Sequence, residues 1–309
     1  MPRMIALVTW SGLPELSPGD RLLQEAFEAR GDVARAVVWD DPSVGWPAFD
    51  LVVLRSTWDY HKRIEEFAAW LDARQADGSR VWNPPALVRQ NIHKRYLLDL
   101  ATRGVAIVPT ELLICHPECS EGPVRAGREE CGASIAPHPH RSLATLGMTT
   151  LAEIRARRGW SSVVVKPAVG ATAFRTSVDP DEEAFATLVT GGDVLVQPFL
   201  EEVVREGEWS LIFLGGAFSH AVLKRPRSGD FRVQNDFGGS AVLTVPPPHV
   251  VAEAARVLAA VDGPWLYARV DGVVVDGMFL LMELELTEPS LFLELDPVAV
   301  ERFADLIWA

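Results

Sequence analysis

Short β-rich runs alternate with helical ones through the first 87 residues, and this alternation constrains the fold more than any other feature. Residues 4–10, "MIALVTW", form an apolar run that ends at the turn-rich "SGLPELSPGD". "RLLQEAFEARG" follows with helical spacing and a closing Gly31, then come two more β-rich runs, "VARAVVWDD" and "FDLVVLRSTWD", and a second helix, "IEEFAAWLDARQADG". Strands separated by helices build a parallel sheet, and ligands of such units lie at the carboxyl ends of the strands. Those ends carry Thr9, Trp10, Asp40, Asp41, Arg55, Ser56, Thr57 and Asp59. Arg55 is suited to holding a substrate carboxylate through two hydrogen bonds, with Thr57 and Asp59 beside it for an amine. A structural ion pair is the competing reading of Arg55, and Asp20 is a further candidate.

From about residue 88 the texture changes. "VRQNIHKRYLLDLATRGVAIVPTELL" reads as a helix, a stop at Gly104 and a strand ending at Pro109. "SSVVVKPAVGATAFRTS" is a strand, a small-residue loop and a strand; "DVLVQPFLEEV" runs from a strand into a connector. "GEWSLIFLGGAFSHAVLKRP" is a hairpin turning at Gly215-Gly216, and "DPVAVERFADLIWA" is a closing helix. The expected organisation is an α/β domain over 1–87, then two α+β lobes with antiparallel sheets over 88–195 and 196–309. Residues 114–150 fit neither texture and read as a disordered insertion. It holds Cys115, Cys119 and Cys131 with His116, His138 and His140, but without the paired Cys-x2-Cys spacing of a zinc site.

Composition narrows the partners. A net charge of −13 opposes a general nucleic-acid surface, and no apolar run is long enough to span a bilayer. Three cysteines give no disulfide framework, and the N-terminus lacks signal-peptide design, so a cytoplasmic protein acting on small molecules is expected. A homodimer is an assembly the sequence neither requires nor forbids.

The chemistry gathers near the C-terminus. "FLLMELEL" has the texture of a buried strand, yet Glu283 and Glu285 interrupt it two positions apart, on one face. Asp271 follows another apolar stretch upstream. Such hard oxygen donors suit Mg²⁺, which takes one or two carboxylates plus waters and phosphates; a solvated polar sheet face is the alternative. Phosphates would need cations, and Lys94, Lys166, Lys224, Arg232 and Arg269 are available, Lys166 beside a loop whose backbone can approach phosphate.

The order of a lysine, a lysine-loop, "VQPFL" and Asp…Glu-x-Glu resembles the ATP-grasp superfamily over the whole chain except the insertion. The resemblance implies an N-terminal parallel α/β domain followed by two α+β lobes that hold ATP between antiparallel sheets. It implies ATP contacts from Lys94, Lys166, the hinge residues Gln197, Pro198, Phe199 and Leu200, and an acidic ribose ligand, Glu202 with Glu201 and Glu206 as alternatives. Arg269 would contact the transferred phosphate, Lys224 would hold phosphates, and Asp271, Glu283 and Glu285 would bind Mg²⁺, with Glu285 where asparagine is usual. "GDFRVQNDFGG" places Arg232 and Gln234 near an acyl intermediate, as in glutathione-synthetase-like members. "RSTWDYH", "WNP" and "ELELTEPSLF" are most similar to the branch containing D-cycloserine synthetase.

That resemblance implies a ligase or cyclase in which a carboxylate attacks the γ-phosphate of ATP and an amine, hydroxyl or thiol then displaces phosphate. Phosphoryl transfer of this kind needs mostly positioning and charge stabilisation, which lysines, an arginine and Mg²⁺ supply. The alternative is a nucleotide-binding protein without ligase activity, disabled or regulated by the 114–150 insertion.

Overall fold

Every residue of the first strand from Ile5 to Thr9 is buried because both faces of its sheet are covered. In the computed structural model, which describes residues 2–115, 150–227, 232–233 and 238–308, strand β1 (Met4–Thr9) sends Ile5 and Leu7 into one apolar cluster and Ala6 and Val8 into another. Helix α1 (Pro18–Ala29) covers the first face with Leu23, Ala26 and Phe27. It opens at Ser17, whose hydroxyl accepts the Asp20 N–H, and Gly31 follows its end in the left-handed region. Strand β2 (Val33–Val38), strand β3 (Leu51–Ser56), helix α2 (Ile64–Ala76) and strand β4 (Val81–Trp82) complete a parallel sheet in the order β2-β1-β3-β4. Phe67, Trp70 and Leu71 of α2 fill the second face.

The single helix expected after residue 88 is two. Helix α3 (Pro85–Ile92) and helix α4 (Tyr96–Thr102) are separated at His93, whose backbone is extended and whose Nδ1 accepts the Arg95 N–H at 3.1 Å. Lys94 therefore stands in the break and not on a helix. The strand expected to end at Pro109 is displaced as well. Ile107 makes only a single bridge, to Leu281, and the next strand starts beyond Pro109, which has no N–H to continue a ladder.

Strand β5 (Glu111–Leu113), helix α5 (Leu151–Arg158), strand β6 (Val163–Pro167), strand β7 (Ser177–Val178), helix α6 (Glu182–Thr190) and strand β8 (Val194–Pro198) belong to a second compact unit. Its sheet is antiparallel, in the order β5-β8-β6-β7, over a core that includes Ile154, Val163, Val165, Phe185 and Val196.

The first unit comprises Met1–Thr110, Val169–Phe174 and Leu200–Ala309. It resumes with helix α7 (Glu201–Arg205), strand β9 (Glu208–Leu214), strand β10 (Ala217–Arg225), strand β11 (Ser240–Leu243), helix α8 (Pro248–Ala259), strand β12 (Tyr267–Val275), strand β13 (Met278–Glu285) and helix α9 (Pro297–Leu306). These strands form an antiparallel sheet ordered β11-β10-β9-β12-β13. The β9–β10 hairpin turns at Gly215 and Gly216, both at positive φ, and a Cβ on Gly215 would lie 2.7 Å from Leu306. The Asn-Pro of "WNP" has a structural use. Asn83 is fully buried, donates to the Tyr267 and Leu286 carbonyls at 2.8 and 2.7 Å, and accepts the Leu266 N–H at 2.7 Å, stapling the parallel sheet's last strand to β12 and β13.

Candidate active site

The register of the five-stranded sheet places the acidic and basic side chains in one row. Asp271 lies directly opposite Glu283 across β12 and β13, and Arg269 opposite Glu285. On the other side of β12, Asp271 faces Ser210 of β9, and Glu208 of β9 faces Lys224 of β10. Opposed residues of an antiparallel pair share a face, as do i and i+2, so all these groups point to one side. A register shift after Asp271, at Gly272, bends the strand there.

The row is held together by charge. Arg269 Nη2 donates to Asp271 Oδ2 at 2.9 Å and also to Glu285, while Nη1 donates to the Ser290 carbonyl at 2.9 Å. Ser210 donates to Asp271 as well. Lys224 Nζ is 2.5 Å from Glu208 Oε1 and 3.7 Å from Asp271 Oδ2. Lys94 Nζ pairs with Glu283 Oε1 at 3.0 Å and donates to the Gly170 carbonyl at 2.6 Å, which ties down the first residues of the small-residue loop.

Beyond the bridge from Leu281 to Ile107, the outer edge of β13 is pinned by side chains. Asn91 donates to the Leu284 carbonyl and accepts the Leu286 N–H, both at 2.8 Å, and the Tyr96 hydroxyl accepts the Leu284 N–H at 3.0 Å. Edge groups buried without partners would be costly, and here they also fix where Glu283 and Glu285 point.

Burial and neighbouring charge then set the protonation states. Burial raises the Asp271 carboxyl, but Arg269 and Lys224 overcome it and hold the group below its usual range. Burial likewise opposes the charge on Lys224, and Asp271 and Glu208 outweigh it, so the ammonium is held more firmly than usual. Glu285 is pushed up to about 8 by burial, with Asp271 and Glu283 adding to the shift against the pull of Arg269. A quarter of its side chain still meets solvent, which softens that effect. Glu288 is pushed up to about 7, chiefly by burial.

The donor set fits Mg²⁺, since Asp271, Glu283 and Glu285 are hard oxygen ligands on one face. Among the described residues no three acidic, His or Cys side chains already converge on one point, because Arg269 and Lys94 lie against the carboxylates. That geometry suits an ion held by a few carboxylate oxygens and by phosphates, not a cage made by protein alone.

The other expected residues stand on other elements. Lys166 is half-buried near the end of β6, and Gln197 and Pro198 end β8, with Phe199 donating its N–H to the Ser162 carbonyl at 3.0 Å. Leu200 precedes α7, on which Glu202 is half-buried. Arg232 is half-buried; Gln234 and the residues of the Cys/His segment beyond Cys115 lie outside the described residues. Arg55 is 1% exposed and spent internally: its Nε donates to Asp20 Oδ1 at 2.7 Å, and Nη2 to the Pro289 carbonyl at 2.9 Å. Asp59 accepts from Trp39 Nε1 at 2.9 Å and pairs with Arg63. A substrate would have to displace these partners, so the structural ion pair describes Arg55 and Asp59 better than substrate binding. Glu208, Ser210 and Glu288 belong to the site's surroundings although nothing in their spacing marks them.

A parallel sheet followed by two antiparallel ones, with cations threaded among strand-borne carboxylates, defines an ATP-grasp enzyme. The D-alanine–D-alanine ligase of Bacillus anthracis, solved with ATP, shares this fold at a TM-score of 0.64 and 13% identity, covering 99% of this chain and 96% of that one. The model of the N-terminal domain of D-cycloserine synthetase DcsG matches residues 5–83. The cycloserine biosynthesis protein DcsG of Streptomyces lavendulae is 32% identical over 304 residues, 92% of this chain and 91% of that protein. The crystal structure of D-cycloserine synthetase DcsG superposes with a TM-score of 0.78 at 30% identity, covering 98% of each chain. The chain belongs to the DcsG family of ATP-grasp ligases.

Proposed function

We propose that the chain uses ATP to activate a small-molecule carboxylate and joins it to an amine, hydroxyl or thiol, with carbon–nitrogen bond formation as the favoured outcome. The observation that carries this reading is the row of Lys224, Glu208, Ser210, Asp271, Arg269, Glu283 and Glu285 on one sheet face, with Lys94 at its end. A carboxylate oxygen of the substrate attacks the γ-phosphorus; the bond from phosphorus to the β-bridging oxygen breaks, leaving ADP and an acyl phosphate. The nucleophile then attacks the acyl carbon, loses a proton and expels phosphate. A relative named D-cycloserine synthetase suggests the intramolecular case, in which nucleophile and carboxylate belong to one molecule and a ring closes.

Within this reading Lys94, Lys166 and Lys224 bind phosphate oxygens. Arg269 neutralises charge on the group in transfer, and Arg232 and Gln234 serve the acyl intermediate. Gln197, Pro198, Phe199 and Leu200 bind the adenine, and Glu202 the ribose. Asp271, Glu283 and Glu285 would hold Mg²⁺, which when bound supplies Lewis-acid neutralisation of the phosphate oxygens. The protein's own part is positional, because phosphoryl transfer asks for aligned groups and prearranged charge more than for proton chemistry.

The test is an ADP-release screen with amino acids and other small carboxylates, repeated on Asp271→Asn and Glu283→Gln once one substrate responds. ADP formed in step with a new amide or ester bond, and lost in both variants, is the expected result. Undiminished turnover in both variants would overturn the mechanism.

A further inference from the structure

The carboxyl edge of the parallel sheet holds polar groups that the roles above leave unused. Thr9 of β1 lies opposite Ser56 of β3, and the two hydroxyls are 3.0 Å apart. The residues that follow, Trp10 and Thr57, therefore leave the sheet as neighbours. The register slips by one residue just before this point, leaving Arg55 without a partner on β1 and re-aiming what comes after.

Thr57 is fully buried, and its Oγ1 has no hydrogen-bond partner among the described residues; nor has the buried Trp10 Nε1. The ring nitrogens of His61, in the turn after β3, are buried and meet no hydrogen-bond partner among the described residues beyond the Trp58 backbone. Lys62 carries its Nζ to 5.7 Å from the Trp10 ring, so this turn folds back over Trp10. Phe174 packs on His61 with ring centroids 4.7 Å apart. A buried polar group left unpaired costs about 1–3 kcal/mol, so a cluster of them in one corner of the fold calls for a ligand.

The chemistry of the cluster limits that ligand. The indole N–H only donates, and the threonine hydroxyl donates and accepts. Burial, helped by Lys62 and opposed in part by a backbone group of Trp58, holds His61 below its usual range. The neutral ring offers one donor and one acceptor. The carboxylate of Asp59, which would suit an ammonium, is already engaged by Trp39 and Arg63. Arg55 is engaged by Asp20. What remains is rich in donors, with the Lys62 ammonium close by.

We propose that this edge is the subsite for an acceptor group of the substrate, a carboxylate or carbonyl, gripped by the Trp10 N–H and the Thr57 hydroxyl with His61 orienting it. This rests on the ligase reading above, and it moves substrate recognition from charged to neutral donors.

The test follows the indole signal of Trp10 by ¹⁵N NMR in tryptophan-labelled full-length protein, assigned through Trp10→Phe. The probes are serine, which carries a carboxylate, and ethanolamine, which keeps the amine and hydroxyl without it. Serine is expected to move the signal saturably and ethanolamine not to move it. Thr57→Val is expected to weaken serine binding tenfold or more while leaving the affinity for a magnesium-bound, non-hydrolysable ATP analogue unchanged. If that variant does not fold, calorimetry on Trp10→Phe, which removes the N–H and keeps an aromatic ring, reads the same loss. Equal shifts with both probes, no shift with either, or undiminished serine affinity in the variants overturns the proposal. Failure of the wild type to bind the nucleotide analogue while serine still moves the signal counts against the ligase reading and leaves the subsite standing.

Discussion

On the face of the five-stranded sheet, Asp271 is held by Arg269, Lys224 and Ser210, and Glu283 by Lys94. At the carboxyl edge of the parallel sheet, the Thr57 hydroxyl, Trp10 Nε1 and the His61 ring nitrogens are buried with no such answer among the described residues. Both regions bury polarity in the same unit, but they solve different problems. Charges cannot be left alone in a low-dielectric interior, so a site that handles phosphates must keep its carboxylates and cations paired until ligand arrives. Neutral donors cost far less when unpaired, so a site for a small neutral or singly charged group can wait with open hydrogen bonds. The paired row is therefore expected to fail through stability and nucleotide binding together, and the open edge through substrate affinity alone.

Removing one member of the paired row should give the largest effect. Asp271→Ala leaves Arg269 and Lys224 buried without their shared anion, and breaking such a pair costs about 3–5 kcal/mol. A urea midpoint lowered accordingly, with loss of nucleotide binding, is the expected outcome; a midpoint within experimental error of wild type would break the comparison. Next comes the bend beside Asp271. A Cβ at Gly272 would lie 2.2 Å from the Phe279 ring and 2.6 Å from the Leu280 carbonyl, so Gly272→Ala should cost about 1–3 kcal/mol by overpacking. It should also weaken magnesium-dependent nucleotide binding, measurable by calorimetry, since the bulge sets where Asp271 points.

Asn91→Ala sharpens the contrast because it touches no charge. It orphans the Leu286 N–H and the Leu284 carbonyl on β13, at about 1–3 kcal/mol, and should loosen Glu283 and Glu285 enough to raise the KM for magnesium-ATP more than it lowers kcat. The smallest effect is on pH dependence. Glu285 and Glu288 titrate higher in the folded protein than the ordinary 4.5, at about 8 and about 7. The folded state then holds more protons than the unfolded chain across that window, so this contribution is fully present below 4.5 and is lost as pH rises through those values. Melting temperature without nucleotide should drop between pH 6 and 9, and a rise across that interval would contradict the assigned environment.

The strands and their shared acidic face are legible in the sequence because alternation is local: Glu283-x-Glu285 and Arg269-x-Asp271 each put two groups on one side. The hairpin at Gly215-Gly216 is legible for the same reason. Glu208 and Ser210 are not, since only the register of β9 against its neighbours brings them beside Lys224 and Asp271. The break at His93 is hidden too. The "NIHKRY" run has helical texture, and what interrupts it is long-range, with Asn91 and Tyr96 pinned to β13 and Lys94 drawn to Glu283. Arg55 shows the reverse failure. An arginine at a strand's carboxyl end looks like a ligand grip, but a bulge points it at Asp20 inside the core.

The most direct measurement is calorimetric titration of a non-hydrolysable ATP analogue into wild type, Lys166→Ala and Glu283→Gln, each with and without Mg²⁺. Magnesium-dependent binding by wild type, weaker binding by Lys166→Ala, and loss of the magnesium dependence in Glu283→Gln are the expected results. Binding by wild type that ignores Mg²⁺, or no binding by a folded wild type, would contradict the claim that this sheet face holds a metal-bound nucleotide.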